Sequence, residues 1–210
     1  MKKKLLAGAL LAAALASAAA AAAIAGAASH QRGRRNVLQF VQKGEIASAL
    51  SDGDVILRLG DGLWSRFFKD LSPNYRKFSH MGIVRIRDGA ISVIHAEGLA
   101  IQGLDSVNEV SLGEFLGSAL SVGVYRLLRE DGAMVSDLAL EYVGVPFDWQ
   151  FDMADGSRLY CTELLYVVLR RVNPEIRLNA AWIRGLGRHV IPLDVVSQAE
   201  YFERIGHWGR

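Results

Sequence analysis

The strongest constraint on the fold lies at the start of the chain, where a short basic segment and a long apolar run precede everything else. Three lysines precede an uncharged segment, Leu5 to Ala28, which consists mostly of Ala and Leu and ends in small residues. This layout is typical of a secretory signal peptide. A retained membrane anchor is the alternative, because about 20 apolar residues can span a bilayer. No cysteine directly follows the run, which excludes a lipid anchor on cysteine. We therefore predict export to the periplasm or cell envelope.

The rest of the chain has the size of one domain. We predict a signal peptide or anchor over residues 1–28, a leader and first helix over 29–50, and the main folded domain over 51–210. Without Lys2, Lys3 and Lys4, the chain has 21 basic and 22 acidic side chains. A net charge this close to zero provides no electrostatic footprint for nucleic acid, so we expect no nucleic-acid partner.

Helix and strand patterns together predict an α+β domain in which helices surround a small antiparallel sheet. The Asp88-Gly89 pair is a hairpin signal that joins two predicted strands, Met81–Ile86 and Ala90–Ala96. Further strands are predicted over 55–59, 122–128 and 189–192. Helices are predicted over 36–50, 63–68, 131–143, 161–172 and 194–205, with a short one after the capping box at Ser111.

Cys161 is the only cysteine of the chain, so an internal disulfide is excluded. In an oxidising compartment a lone thiol is a chemical liability, and we expect it to be either buried or used. Cys161 opens a predicted helix with apolar residues at i+3, i+4, i+7 and i+8, so the thiol ends the core-facing stripe. The N–H groups of a helix N-terminus favour a thiolate, lower its pKa and stabilise a nearby oxyanion. The alternative is a small buried hydrophobic residue.

His80 and His95 lie on the two strands of the predicted hairpin. Pairing about the Asp88-Gly89 turn offsets them by about two residues and places them on one face of the sheet. Two imidazoles on one face predict either a metal site or a base with an orienting partner. Cys161, His80 and His95 are a conceivable zinc ligand set, but no Cys-x-x-Cys or His-Glu-x-x-His spacing supports it, so we expect no metal and no other cofactor. The remaining histidines belong to no motif and are expected at the surface: His30, His189 and His207.

Four segments resemble the motifs of the permuted papain-like NlpC/P60 proteins, and of the YiiX/YaeF-like amidase group in particular. They are S-D-G-D-V-I from Ser51, S-H-M-G-I-V from Ser79, V-I-H-A from Val93, and G-V-P-F-D from Gly144 paired with Y-C-T-E-L from Tyr160. Together they cover most of the predicted domain. The resemblance implies a papain-like fold with permuted motif order over residues 51–210. In that fold a small antiparallel sheet or half-barrel packs against helices, and the nucleophile lies at a helix N-terminus.

The resemblance also implies a Cys-His-polar triad. By motif position, Cys161 is the nucleophile, His80 is the base and His95 is the third, orienting member. The motif of close relatives carries Glu at the third position. Glu97 lies two residues further on, on the same sheet face as His95, and is therefore the reserve candidate. Tyr160 precedes the nucleophile and is expected to contribute to the oxyanion or substrate-binding region.

The chemistry implied by such a triad is acyl transfer through a thioester that water or another acceptor resolves. We predict a cysteine amidase or peptidase of the cell envelope, acting on an amide- or ester-containing substrate that is a peptide or is linked to lipid. The N-terminus is the candidate for membrane association. The alternatives are a lipid acyltransferase or thioesterase of the lecithin:retinol acyltransferase type and a non-catalytic binding domain. Five aromatic residues are candidates for an acyl-chain groove, although we expect them in the core: Trp64, Phe67, Phe68, Trp149 and Phe151.

Overall fold

The computed structural model describes residues 42–61, 69, 72, 76–99, 104–117 and 119–209. The predicted signal peptide or anchor and the predicted helix over 63–68 lie outside these residues. Residues Gln42–Arg210 belong to one compact unit, which includes the helix over 42–49. None of the helices within the described ranges is long and apolar enough to cross a membrane.

The described elements form a mixed α and β domain. Its strands are β1 Val55–Gly60, β2 His80–Arg87, β3 Ala90–Leu99, β4 Leu104–Ser111, β5 Ala119–Leu127, β6 Ala181–Ile183, β7 Arg188–Val190 and β8 Phe202–Gly209. Its helices are α1 over 42–49, α2 Leu112–Phe115, α3 Gly132–Leu140 and α4 Cys161–Val172, with a 3-10 helix over Leu193–Ser197. Six strands make one antiparallel sheet in the order β4-β3-β2-β1-β5-β8, and β6 pairs with β7 in a separate hairpin.

The β2–β3 hairpin confirms the local sequence prediction. Asp88 and Gly89 have φ angles of 52° and 78°, the left-handed conformations that a two-residue hairpin turn requires. The pairing sets Ile83 opposite Ile94, which gives the predicted two-residue offset between the histidines. Hydrogen bonds to the side chains of Ser111 and Asp131 likewise start α2 and α3.

The sheet is buried on both faces, and alternate strand positions supply two separate cores. On one face, β-strand residues such as Leu57, Met81 and Ile94 pack with the apolar stripe of α4. On the other face, Ile56, Val84 and Val93 pack with residues from α1 and α2. A side chain on one of these strands therefore lies in one of two separate cores, according to the face from which it projects.

The predicted helix over 194–205 is wrong. A 3-10 helix over Leu193–Ser197 starts the segment, and β8 then pairs with β5 from Phe202 opposite Leu127 to Gly209 opposite Ser121. Without β8, the N–H and C=O groups along one edge of β5 would have no strand partner, so tertiary pairing overrides the local helical pattern. Strand β4 was absent from the prediction because its sequence is largely polar, and Val107 is the one fully buried side chain over residues 105–111.

Candidate active site

Cys161 is the first residue of α4, as predicted, and its side chain is partly buried. The start of the helix is anchored on both sides of the cysteine. The hydroxyl of Thr162 donates to the carbonyl of Ile191 at 2.5 Å, and the N–H of Ile191 donates to the hydroxyl of Tyr160 at 3.0 Å. These bonds fix the position from which the thiol projects.

The sulfur of Cys161 lies against the peptide that joins His80 to Met81. The backbone N–H groups of Met81, Thr162 and Cys161 donate toward the sulfur and favour the thiolate, but burial outweighs them and raises the pKa of the thiol to about 11. The lowered pKa that the helix N-terminus suggested is therefore wrong, since desolvation is the larger effect. At neutral pH the Cys161 side chain is therefore a neutral thiol.

His80 and His95 meet as the sequence register predicts. His80 is the first residue of β2, and its Nε2 atom lies 2.8 Å from Nδ1 of His95 on β3, within hydrogen-bonding distance. The two rings are almost perpendicular, at 83°, with centroids 5.0 Å apart. Both rings also contact Phe115 of α2, so they occupy the sheet face that packs against α1 and α2.

Both imidazoles are held in the neutral form. Burial, the charge of Arg58 and the neighbouring His95 lower the pKa of His80 well below its ordinary value. Burial and Arg58 lower the pKa of His95 to about 3. In the described part of the chain, Nε2 of His95 is buried without a hydrogen-bond partner. The tautomer with a proton on His80 Nε2 uses His95 Nδ1 as its acceptor and leaves His80 Nδ1 open to take a proton.

The thiol of Cys161 lies near the backbone of His80. No hydrogen bond among the described residues joins the sulfur to the His80 ring. Cys161 reaches the His80–Met81 peptide from the sheet face that α4 covers. The histidine rings lie toward Phe115 on the opposite face. The thiol therefore meets the backbone beside His80 at the N-terminal end of β2, while the His80 ring projects from the same point toward the other layer. Catalytic contacts are commonly loose before substrate binds and tighten in the complex.

Glu97 lies beside His95, on the predicted face, but its carboxylate is bound elsewhere. Its Oε1 atom accepts a hydrogen bond from Arg58 Nη2 at 2.5 Å, whereas Oε2 is 3.7 Å from Nδ1 of His95. Sequence reasoning missed Arg58. The signal was present in β1, where an arginine interrupts an otherwise apolar strand, but the strand that pairs with β1 could not be assigned from sequence.

Comparison with known proteins now identifies the family. A family model described as "Permuted papain-like amidase enzyme, YaeF/YiiX, C92 family" matches residues 49–184. The chain belongs to the permuted papain-like amidases. The fold agrees: the crystal structure of metalloprotein yiiX from Escherichia coli O157:H7 superposes with a TM-score of 0.60 at 16% identity, covering 76% of this chain and 98% of that one. No curated protein sequence matches the chain. The predicted family, papain-like fold and thiol-dependent hydrolase class are thus confirmed.

In this amidase, His80, His95 and Glu97 are held by hydrogen bonds and an ion pair. Their ligand atoms lie within 4.8 Å of one another. Two imidazole ligands of a tetrahedral zinc, each about 2.05 Å from the ion, are about 3.3 Å apart. The observed separation of 2.8 Å is that of a hydrogen bond, and Arg58 occupies one oxygen of Glu97. The thiol of Cys161 is not part of this cluster.

Tyr160 is engaged in the structure of this amidase rather than exposed to solvent. Its side chain is 2% exposed and packs on Phe151, and its hydroxyl accepts the hydrogen bond from Ile191. Burial raises the pKa of that hydroxyl. No described contact tests the predicted part of Tyr160 in oxyanion or substrate binding, which stays a prediction.

The remaining histidines and aromatic residues singled out in the sequence differ in their exposure. His189 and His207 are exposed, as expected, and His30 lies outside the described residues. Phe151 is buried, whereas Trp149 is 39% exposed and donates its ring N–H to Asp105 at 2.7 Å. Trp64, Phe67 and Phe68 also lie outside the described residues.

Proposed function

We propose that this amidase is a cysteine hydrolase of the cell envelope in which Cys161 is the nucleophile, His80 the general base and His95 the residue that orients His80. The observation that carries the proposal is the 2.8 Å contact between His80 Nε2 and His95 Nδ1, made by the residue whose peptide lies against the thiol. A base with one nitrogen held by an orienting partner and the other free is the arrangement that nucleophilic catalysis requires.

The proposed reaction begins from neutral groups. His80 Nδ1 takes the proton of the Cys161 thiol as the sulfur attacks the carbonyl carbon of the substrate. The backbone N–H groups of Cys161 and Thr162, at the positive end of α4, stabilise the tetrahedral oxyanion. His80 then gives the proton to the leaving group, and an acyl thioester remains on Cys161. Water, deprotonated by His80, attacks the thioester, releases the acid and restores the thiol.

The proposed substrate is an amide or ester of the envelope, either a peptide or an acyl group linked to lipid. Export is supported by the composition of residues 1–28, which also supports membrane association through the N-terminus. The proposed reaction uses only protein groups, since the imidazole pair and the helix N-terminus supply the proton transfers and the oxyanion contacts. We propose no nucleic-acid partner, because the mature charge is close to zero.

The proposal is tested by the rate at which iodoacetamide alkylates Cys161. The chain has one cysteine, so the signal has one source. Near neutral pH we expect His80→Ala to slow alkylation by at least about tenfold, because a thiol of raised pKa depends on a neighbouring base for its reactivity. In both proteins the rate should rise toward the thiol pKa of about 11.

His189→Ala, which removes an exposed imidazole from the β6–β7 hairpin, is the matched control and should leave the rate unchanged. Equal rates in wild type and His80→Ala would refute the role of His80. A thiol that stays inert at every pH until the protein unfolds would refute the nucleophile.

A further inference from the structure

Arg58 occupies a central position that the proposed mechanism does not use. It lies on β1 directly opposite His80 of β2 and is 9% exposed. Its Nη1 donates to the carbonyl of Phe115 at 2.8 Å, and its guanidinium lies 4.8 Å from the centroid of the Phe115 ring. Its Nη2 is the atom that binds Glu97. A buried arginine is costly unless its donors are used, and these contacts fix the guanidinium beside the imidazole pair.

The contact between Arg58 and Glu97 determines whether the carboxylate next to His95 is paired with a cation. A carboxylate is the strongest hydrogen-bond acceptor near the pair, and its second oxygen is 3.7 Å from His95 Nδ1. If that carboxylate were unpaired, it would attract a proton onto the nearest imidazole and form an ion pair there. An imidazole that already carries the proton cannot serve as an acceptor for His80 or as a base.

We propose that Arg58 is a positioning residue, which binds the carboxylate of Glu97 and so keeps Nδ1 of His95 available to His80. This inference rests on the proposed function, in which His80 is the base. In this inference the Arg58–Glu97 pair neither binds a metal nor takes part in the reaction. Arg58 neutralises the carboxylate of Glu97, and the two imidazoles then hydrogen-bond to each other.

The electrostatics agree with the geometry. Arg58 lowers the pKa of both His80 and His95, in each case after burial as the larger cause. The described charged or titratable groups that act on this cluster come from four elements: Arg58 on β1, Glu97 on β3, Glu114 on α2 and Cys161 on α4. Burial, with a smaller contribution from Glu114, raises the pKa of Glu97, whereas Arg58 opposes that shift. Arg58 is thus the cation that balances the carboxylates around the rings.

The test reads the rings directly by long-range 1H–15N correlation spectra of 15N-labelled full-length protein, which report the protonation and tautomer of each imidazole. Signals are assigned by their loss in His80→Gln and His95→Gln. In wild type both rings should stay neutral down to about pH 5. In Arg58→Met, the titration midpoint of at least one ring should rise by about one to two pH units, the effect of a unit charge a few ångströms away.

A second variant separates electrostatics from loss of packing. Arg58→Met combined with Glu97→Gln removes both charges, so its midpoints should fall below those of Arg58→Met alone. If Arg58→Met alone does not fold, Arg58→Gln takes its place in both comparisons, because its amide can still donate to the carbonyl of Phe115. Arg126→Met, which breaks a comparable pair with Asp54, is the control and should leave both rings unchanged.

Unchanged midpoints in Arg58→Met, or a rise that persists in full in the double variant, would overturn the inference. The measurement does not use the reactivity of the thiol. A failed alkylation test with shifted ring midpoints would therefore refute the proposed base or the proposed nucleophile, whereas the effect of Arg58 on the rings would stand. Normal alkylation with unshifted midpoints would refute Arg58 alone.

Discussion

The Cys161 thiol and the two imidazoles rest in their neutral forms, and this determines how these three residues can act. Burial raises the pKa of the Cys161 thiol to about 11 and lowers the pKa of His95 to about 3. The pKa of His80 is also well below its ordinary value. A neutral imidazole can accept a proton and a thiol can release one. The pair is therefore arranged for proton transfer during attack on the substrate, and not for a stored thiolate and imidazolium.

At the same scale, substitution distinguishes the two candidates for the third triad position. His95→Ala should lower kcat for acyl transfer by about 10- to 10³-fold, because His80 loses the acceptor that fixes its tautomer. Glu97→Gln should cost much less, because Glu97 contacts Arg58 more closely than it contacts His95. Release of p-nitrophenolate from p-nitrophenyl acetate measures both. A larger loss for Glu97→Gln would transfer the orienting role to Glu97.

At the scale of elements, the hairpin of β2 and β3 brings the imidazoles together only because Gly82 leaves room between the strands. A Cβ at Gly82 would lie 3.1 Å from Cβ of His95 and 3.0 Å from the carbonyl oxygen of Ile94, and would collide with the side chain of Val93. Gly82→Ala should therefore destabilise the protein by about 1–3 kcal/mol. It should also slow alkylation of Cys161, because β3 must shift and carry His95 with it.

Urea unfolding and iodoacetamide alkylation of the same samples check this prediction. Gly185→Ala is the matched control, because nothing lies within 4 Å of a Cβ at that position. A Gly82→Ala protein with wild-type stability and wild-type alkylation would contradict the packing argument.

Elements formed by neighbouring segments could be predicted from the sequence, and elements paired across the chain could not. The Asp88-Gly89 turn fixed the register of β2 and β3, and with it the contact between His80 and His95. The apolar stripe behind Cys161 likewise gave the exact bounds of α4. Arg58 was missed because residues 61–79 separate β1 from β2, so no single short turn fixes the register of these strands and tertiary packing sets it.

For the molecule as a whole, the site depends on two cores at once. Helix α4 packs on one face of the sheet and presents the thiol. The imidazoles and Arg58 contact Phe115 of α2 on the other face. The thiol and the His80 ring therefore approach the start of β2 from opposite layers, and a shift of either helix layer against the sheet would change the distance between them. Stability and activity should accordingly change together when the start of α4 is perturbed.

Glu163, in the first turn of α4, makes the stability of the folded protein depend on pH. Burial, reinforced by Asp148, Asp152 and Asp155, raises the pKa of Glu163 to about 8 from 4.5, against the opposing hydrogen bond from the Tyr160 N–H. Between about pH 4.5 and pH 8 the folded protein holds a proton that the unfolded chain has released. Stability from this group is therefore complete below that window and is lost as pH rises through it. The ionised carboxylate must then be accommodated beneath the nucleophile.

Glu163→Gln mimics the protonated acid at every pH. Near pH 4 the free energy of unfolding of this variant in urea should equal that of the wild type, and near pH 9 it should exceed the wild-type value by about 1–2 kcal/mol. Glu45→Gln, on the exposed side of α1, is the control and should show no such crossover. If Glu163→Gln is less stable than wild type near pH 9, Glu163 is stabilised as an anion there. The acidic loop before α4 would then be attracting a cation and not raising a pKa.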